Sequence, residues 1–175
     1  RTWVIASDGD LQEGIAHEAA ALAGHYGLSK LTVLWDDNHI SIDGDTALSF
    51  SEDVLKRFQA YGWAVRRVDG HDAGELAGAM SWAMRNRKPT LIACRTIIGL
   101  GAPTKAGTAG SHGAPLGAAE AAAAKQALGW NAAPFEVPAD IKALWENAGR
   151  RGAGARRSWL KRIAKHPQRA EFERA

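Results

Sequence analysis

Asp8-Gly9-Asp10 follows the apolar run Thr2-Trp3-Val4-Ile5-Ala6, and Asp36-Asp37-Asn38 follows the run Leu31-Thr32-Val33-Leu34-Trp35, with 28 residues between Gly9 and Asn38. Both runs have strand character. In an open parallel sheet the carboxyl ends of the strands share one edge, and ligands bind there. Asp8 brings a charged oxygen to that edge and Asn38 a neutral carbonyl oxygen, and a backbone carbonyl just beyond, such as that of Ile40, adds a third donor. Hard oxygen ligands of this kind suit Mg²⁺ or Ca²⁺, and Mg²⁺ usually shares its shell with phosphates and water. Backbone N–H groups at a helix start attract a diphosphate, whereas Asp10 and Glu13 repel a bare anion, and a bridging Mg²⁺ resolves that conflict. The spacing therefore predicts a metal with a diphosphate.

Other chemistries fit less well. As a calcium loop the segment from Asp8 fails, because Glu13 holds the position that needs glycine. His17-Glu18 opens like a zinc helix, but Ala21 stands where the second histidine belongs. His112 lies in the glycine-rich run Gly99 to Gly113, at the carboxyl end of a predicted strand, where backbone can approach a ligand closely. That placement makes it a candidate for proton transfer. His71, in Asp69-Gly70-His71-Asp72, is read as structural, helping to cap a helix entry with Asp72. Lys105 fits either a phosphate contact or a solvated surface. Cys94 sits in an apolar run and reads as a buried thiol rather than a nucleophile.

The elements that must hold these residues alternate. Strands are expected at 2–6, 31–35, 64–68 and 90–96, with helices near 13–24, 51–61, 73–86, 117–128 and 155–165 and a short one around Ile141, Leu144 and Trp145. Gly24 with Gly27 is expected to stop the first helix, Ser51 to open the second, and Asp43-Gly44-Asp45 to form a polar loop. This order implies an α/β fold, a parallel sheet with right-handed crossovers and helices on both faces. At 175 residues, with 46% hydrophobic and 23% charged side chains, the chain suits a domain with a real core. No apolar run reaches a membrane span. A lone cysteine fits a reducing compartment, so a cytoplasmic location is expected.

The net charge of +3 conceals an asymmetry, since residues 142–175 hold ten Lys/Arg against three Asp/Glu. Gly149 to Arg157 reads as an exposed basic linker, and without an aromatic platform it argues against a nucleic-acid partner. The expected division is 1–146, a partial diphosphate- and Mg-binding domain, and 147–175, a basic linker and helix. The start at Arg1, one residue before a strand, reads as a segment of something longer.

Ser7-Asp8-Gly9 through Asp36-Asp37-Asn38 resembles the thiamine-diphosphate fingerprint, and Asn38-His39-Ile40-Ser41-Ile42-Asp43-Gly44 resembles transketolase in particular. Ala60-Tyr61-Gly62-Trp63, Asp69-Gly70-His71-Asp72, Lys105-Ala106-Gly107-Thr108, Ser111-His112-Gly113-Ala114-Pro115-Leu116-Gly117 and Leu128-Gly129-Trp130 extend the resemblance over nearly the whole chain. It departs from the family at Ser7, where the fingerprint has glycine, and at Ala109-Gly110, where relatives often carry polar residues.

The resemblance implies thiamine diphosphate and Mg²⁺ as cofactors, with Asp8 and Asn38 binding the metal by side chain and Ile40 by its carbonyl. Gly9 would lay its backbone against the diphosphate, and His112 would lie beside the cofactor and assist proton transfer. Glu13 resembles a glutamate at the family's subunit interface. The implied activity is transfer of a two-carbon ketol unit between sugar phosphates, in a homodimer. Further pyrimidine-binding and C-terminal domains are implied as well, so the chain alone is expected to be inactive. The alternatives are another ketol-transferring thiamine enzyme of the dihydroxyacetone synthase type, a non-catalytic Mg–diphosphate module, and a nucleic-acid binder using the basic tail.

Overall fold

A computed structural model describes residues 1–174. The chain divides into two compact units, Arg1–Gly129 and a second beginning at Trp130. The first unit contains β1 (Thr2–Ser7), α1 (Asp8–Gln12), α2 (Gly14–His25), β2 (Leu31–Asp37), β3 (Ile40–Ser41), β4 (Gly44–Asp45), α3 (Val54–Ala60), β5 (Ala64–Asp69), α4 (Ala73–Arg85), β6 (Thr90–Arg95) and α5 (Ala118–Ala127). The four longer strands form a parallel sheet in the order β1-β2-β6-β5.

Strand alternation fills both faces of this sheet. Leu91 and Ala93 of β6 pack with Val33, Trp35, Leu11, Ala20, Phe58 and Trp63, which brings α1, α2 and α3 onto one face. Ile92 and Cys94 point the other way, toward Val68, Ala79 and Ala83, which brings α4 onto the second face. β6 is central and buried along nearly its whole length, as a strand covered on both sides must be. Cys94 is a free buried thiol, and burial pushes its pKa up. The α/β arrangement with helices on both faces is the one expected from the sequence.

Several local expectations change. A short helix, α1, follows β1 directly, ahead of the helix expected near 13–24. Ser7 caps α1 in a reciprocal box with Asp10, its hydroxyl accepting the Asp10 N–H at 3.3 Å while Asp10 Oδ2 accepts the Ser7 N–H at 2.8 Å. These bonds hold the Asp10 carboxyl below its usual value. Helix α2 runs through Gly24, because that glycine lies against Tyr61, whose carbonyl oxygen a Cβ would meet at 1.7 Å. Gly27, at φ +57°, makes the stop. Helix α3 is capped by Asp53 rather than Ser51. Of the expected loop at Asp43-Gly44-Asp45, Asp43 lies in the turn of a small antiparallel hairpin and Gly44–Asp45 form its second strand, β4.

The second unit holds α6 (Ala139–Arg150), α7 (Ala153–Ala164) and α8 (Arg169–Phe172). The stretch Gly149–Arg157, expected as a linker, is helical apart from a turn at Arg151-Gly152. Its alanines and arginines are strong helix formers, and the glycines only interrupt them. The expected boundary at 146/147 consequently falls inside α6. Trp159 and Phe172 meet edge to face at 5.9 Å. Among the described residues no helix is long and apolar enough to cross a membrane.

Candidate functional site

The parallel register delivers the acidic residues to one edge. Ser7 pairs with Asp36, and Asp37 and Asp69 both pair with Arg95, so β1, β2, β5 and β6 end together. Asp8 is 7% exposed. Its Oδ1 accepts the Trp35 indole N–H at 3.0 Å, and its Oδ2 accepts the His39 backbone N–H at 2.9 Å. Burial pushes the Asp8 carboxyl above its usual range, and these two hydrogen bonds only partly offset the shift.

The segment after β2 is shaped by its own side chains. Asn38 Nδ2 donates to Asp36 Oδ2 at 3.0 Å, and Asn38 Oδ1 accepts the Ile40 N–H at 2.8 Å. The Asp36 carboxylate also accepts the Thr96 hydroxyl beyond β6. His39 takes the left-handed backbone at φ 63°, uncommon for a residue with a Cβ. In the hairpin, Thr46 N–H donates to the His39 carbonyl at 3.0 Å. Partners in an antiparallel ladder alternate between bonded and non-bonded. Ile40 opposite Asp45 is therefore a non-bonded pair, and its carbonyl points away from β4.

The His39 N–H to Asp8 bond and the Ile40 N–H to Asn38 bond tie the segment Asn38–Ile40 to Asp8 at this edge of the sheet. Gly9, in the first turn of α1, has open surroundings, since a Cβ there would meet only Ser7 Oγ, at 3.9 Å. Among the described residues no three His, Cys, Asp or Glu side chains cluster as metal ligands. A corner of one carboxylate, one carboxamide and one peptide carbonyl is a different donor set, and it fits Mg²⁺, which draws its remaining ligands from phosphate and water.

His112 is not brought into this corner by any hydrogen bond among the described residues. It is exposed, just after a short 3₁₀ turn, and its backbone N–H donates to Ala109 at 3.0 Å. Its loop carries its own ties. Lys105 Nζ donates to the carbonyls of Pro115 at 3.1 Å and Leu116 at 3.0 Å, and Thr108 Oγ1 donates to the Lys105 carbonyl at 2.8 Å. Lys105 is thereby a latch within the loop. His71 is structural, accepting the Ile97 N–H on Nε2 at 2.8 Å, while Asp72 caps α4. His17 contacts Arg57 and the Tyr61 hydroxyl, which leaves no zinc role for it. Glu13 is an exposed joint between α1 and α2.

Trp35 and His39, the two residues that donate to Asp8, carry no motif signal for that contact. Trp35 looked like one more strand residue, although an indole at the end of β2 can reach the neighbouring strand's end. An open cavity of about 580 Å³ lies over the ends of β5 and β6, lined by Arg67, Asp69, His71, Glu75 and Arg95. It does not include Asp8 or Asn38, and its charges of both signs offset one another.

A family model described as transketolase, thiamine diphosphate binding domain, matches residues 1–175. The chain is 53% identical over 174 residues to a transketolase of Cereibacter sphaeroides, covering 99% of this chain and 26% of that protein. It is 51% identical to a transketolase of Sinorhizobium medicae, covering 98% of this chain and 25% of the relative. Among solved structures, transketolase from Campylobacter jejuni superposes with a TM-score of 0.88 at 38% identity, covering 98% of this chain and 27% of that one. Transketolase from Pichia stipitis in complex with sedoheptulose 7-phosphate gives 0.87 at 39% identity, covering 99% and 27%. The chain spans about a quarter of the length of these relatives. The chain belongs to the transketolase family and is its thiamine-diphosphate-binding domain.

Proposed function

We propose that this chain forms the metal–diphosphate half of a transketolase active site, within a protein that moves a two-carbon ketol unit from a ketose phosphate to an aldose phosphate. The observation that carries the reading is the corner where the buried Asp8 carboxylate accepts the N–H of His39, between Asn38 and Ile40. Asp8 and Asn38 would bind Mg²⁺ by side chain and Ile40 by its carbonyl. Gly9 would bring its backbone to the diphosphate. Thiamine diphosphate, when bound, supplies the carbanion chemistry of ketol transfer. The chain's own part is to bind and orient that group, and for His112 to move a proton at the substrate's oxygens.

Pyrimidine-binding and C-terminal domains, and a second subunit, belong to the same proposal. The family names of the relatives and their greater length support them. The test is ketol transfer from xylulose 5-phosphate to ribose 5-phosphate by a full-length protein carrying this chain. Activity is expected in the wild type and lost in Asp8→Ala and Asn38→Ala. Full activity in both variants would overturn the assignment of the corner.

A further inference from the structure

Asp37 is 0% exposed, next to the metal corner but not part of it. A carboxylate taken out of water is costly unless other charges answer it. His39 Nε2 lies 2.9 Å from Asp37 Oδ1, and an Arg67 guanidinium nitrogen lies 3.5 Å from Oδ2. Neither contact has hydrogen-bond alignment, and both set a ring or guanidinium nitrogen directly against the buried carboxylate. The backbone of Asp37 is fixed as well, its carbonyl accepting Arg95 Nη1 at 2.6 Å and Thr96 N–H at 3.3 Å. The side chain of His39 is half exposed, yet its main chain holds the left-handed conformation and directs its N–H to Asp8.

We propose that Asp37 and His39 are a positioning pair for the metal corner. Asp37 anchors the His39 ring, and the anchored residue keeps the left-handed turn that joins Asn38 to Ile40 and engages Asp8. Without the anchor, an L residue at this position relaxes toward negative φ, because the left-handed region is disfavoured by Cβ sterics. The N–H of residue 39 then leaves Asp8, and the three donors lose their common corner. The pair touches neither metal nor substrate directly. It rests on the reading of Asp8, Asn38 and Ile40 as metal ligands.

The test is a calorimetric titration of Mg²⁺ into the full-length protein in the presence of thiamine diphosphate, with melting of the metal-free protein followed alongside. Asp37→Asn and His39→Ala are each expected to raise the half-saturating Mg²⁺ about tenfold, the usual scale for groups that orient metal ligands. Metal-free melting temperatures should stay at the wild-type value. His39→Gly is expected to fall between wild type and His39→Ala, because glycine adopts positive φ without strain. It also keeps the test open should Asp37→Asn fail to fold. Unchanged Mg²⁺ half-saturation in Asp37→Asn and His39→Ala overturns the pair, as does His39→Gly matching His39→Ala. A loss of affinity that tracks a lower metal-free melting temperature also overturns it. Asp8→Ala run in parallel separates the two claims, since an unchanged Asp8→Ala rejects the metal site itself.

Discussion

Each oxygen of Asp8 already accepts one protein hydrogen bond, from Trp35 and from His39, and each keeps further lone pairs for a cation. The site is therefore held in shape by neutral donors before any metal arrives. Asn38 is held in the same way, between Asp36 and the Ile40 N–H. His112 differs, because its side chain is exposed on a loop that is tied together through Lys105 rather than to the corner. Its proposed role is chemical and not architectural. His112→Ala is expected to lower turnover in the full-length protein by about 10²–10⁴-fold, the range for a proton-transfer group, with little change in thiamine diphosphate affinity. Steady-state kinetics beside a cofactor titration check this, and unchanged turnover would make His112 an ordinary loop residue. The placement of Asp8 and Asn38 just past the ends of adjacent strands was legible in the sequence. Trp35, Asp37 and His39 were not, because their roles depend on which strand ends are neighbours and on one backbone angle.

At the scale of elements, most of the long strands and α4 were legible because β1, β2 and β6 carry largely apolar runs and α4 repeats its apolar positions at helical spacing. Helix α1 was not, since five residues show no periodicity. The signal for it was present as Ser7-Asp8-Gly9-Asp10, a capping-box pattern at the start of a helix. The stop of α2 was legible in Gly27, while Gly24 serves close packing against Tyr61 rather than termination. Helix α3 carries a prediction of its own. The Lys56 N–H, donating to Asp53 Oδ1 at 3.0 Å, and then the Lys56 ammonium at 3.1 Å from Oδ2 hold the Asp53 carboxyl below its usual value. A lowered pKa means that the cap stabilises the fold above the ordinary carboxylate value of 3.8 and loses that effect as pH falls through the lowered one. Asp53→Ala should therefore melt below wild type at neutral pH, with the gap closing in acid. A gap that persists unchanged below that range would show that the carboxylate charge plays no part.

For the whole molecule, the core lies in the first unit, while the described part of the second has no buried residue in its three helices. The α/β class and the sheet's parallel sense were legible from alternation alone. The sheet order was not, because β5 lies at the edge and β6 inserts beside β2, a pairing that depends on packing across the sheet. The chain spans about a quarter of its relatives' length, and on the proposed reading the corner is one part of the contact surface for a large cofactor. The 175-residue chain by itself is expected to show no ketol transfer with excess Mg²⁺ and thiamine diphosphate. Turnover of xylulose 5-phosphate and ribose 5-phosphate that Asp8→Ala abolishes, in protein free of host transketolase, would contradict this.

The central claim is that Asp8 makes cofactor binding depend on Mg²⁺. Its most direct test is calorimetric titration of thiamine diphosphate into the full-length protein, with and without Mg²⁺, for wild type and Asp8→Ala. The expected result is tight binding by wild type only when Mg²⁺ is present, and weak binding by Asp8→Ala whether or not it is. Wild-type Mg²⁺ dependence retained in Asp8→Ala would contradict the claim.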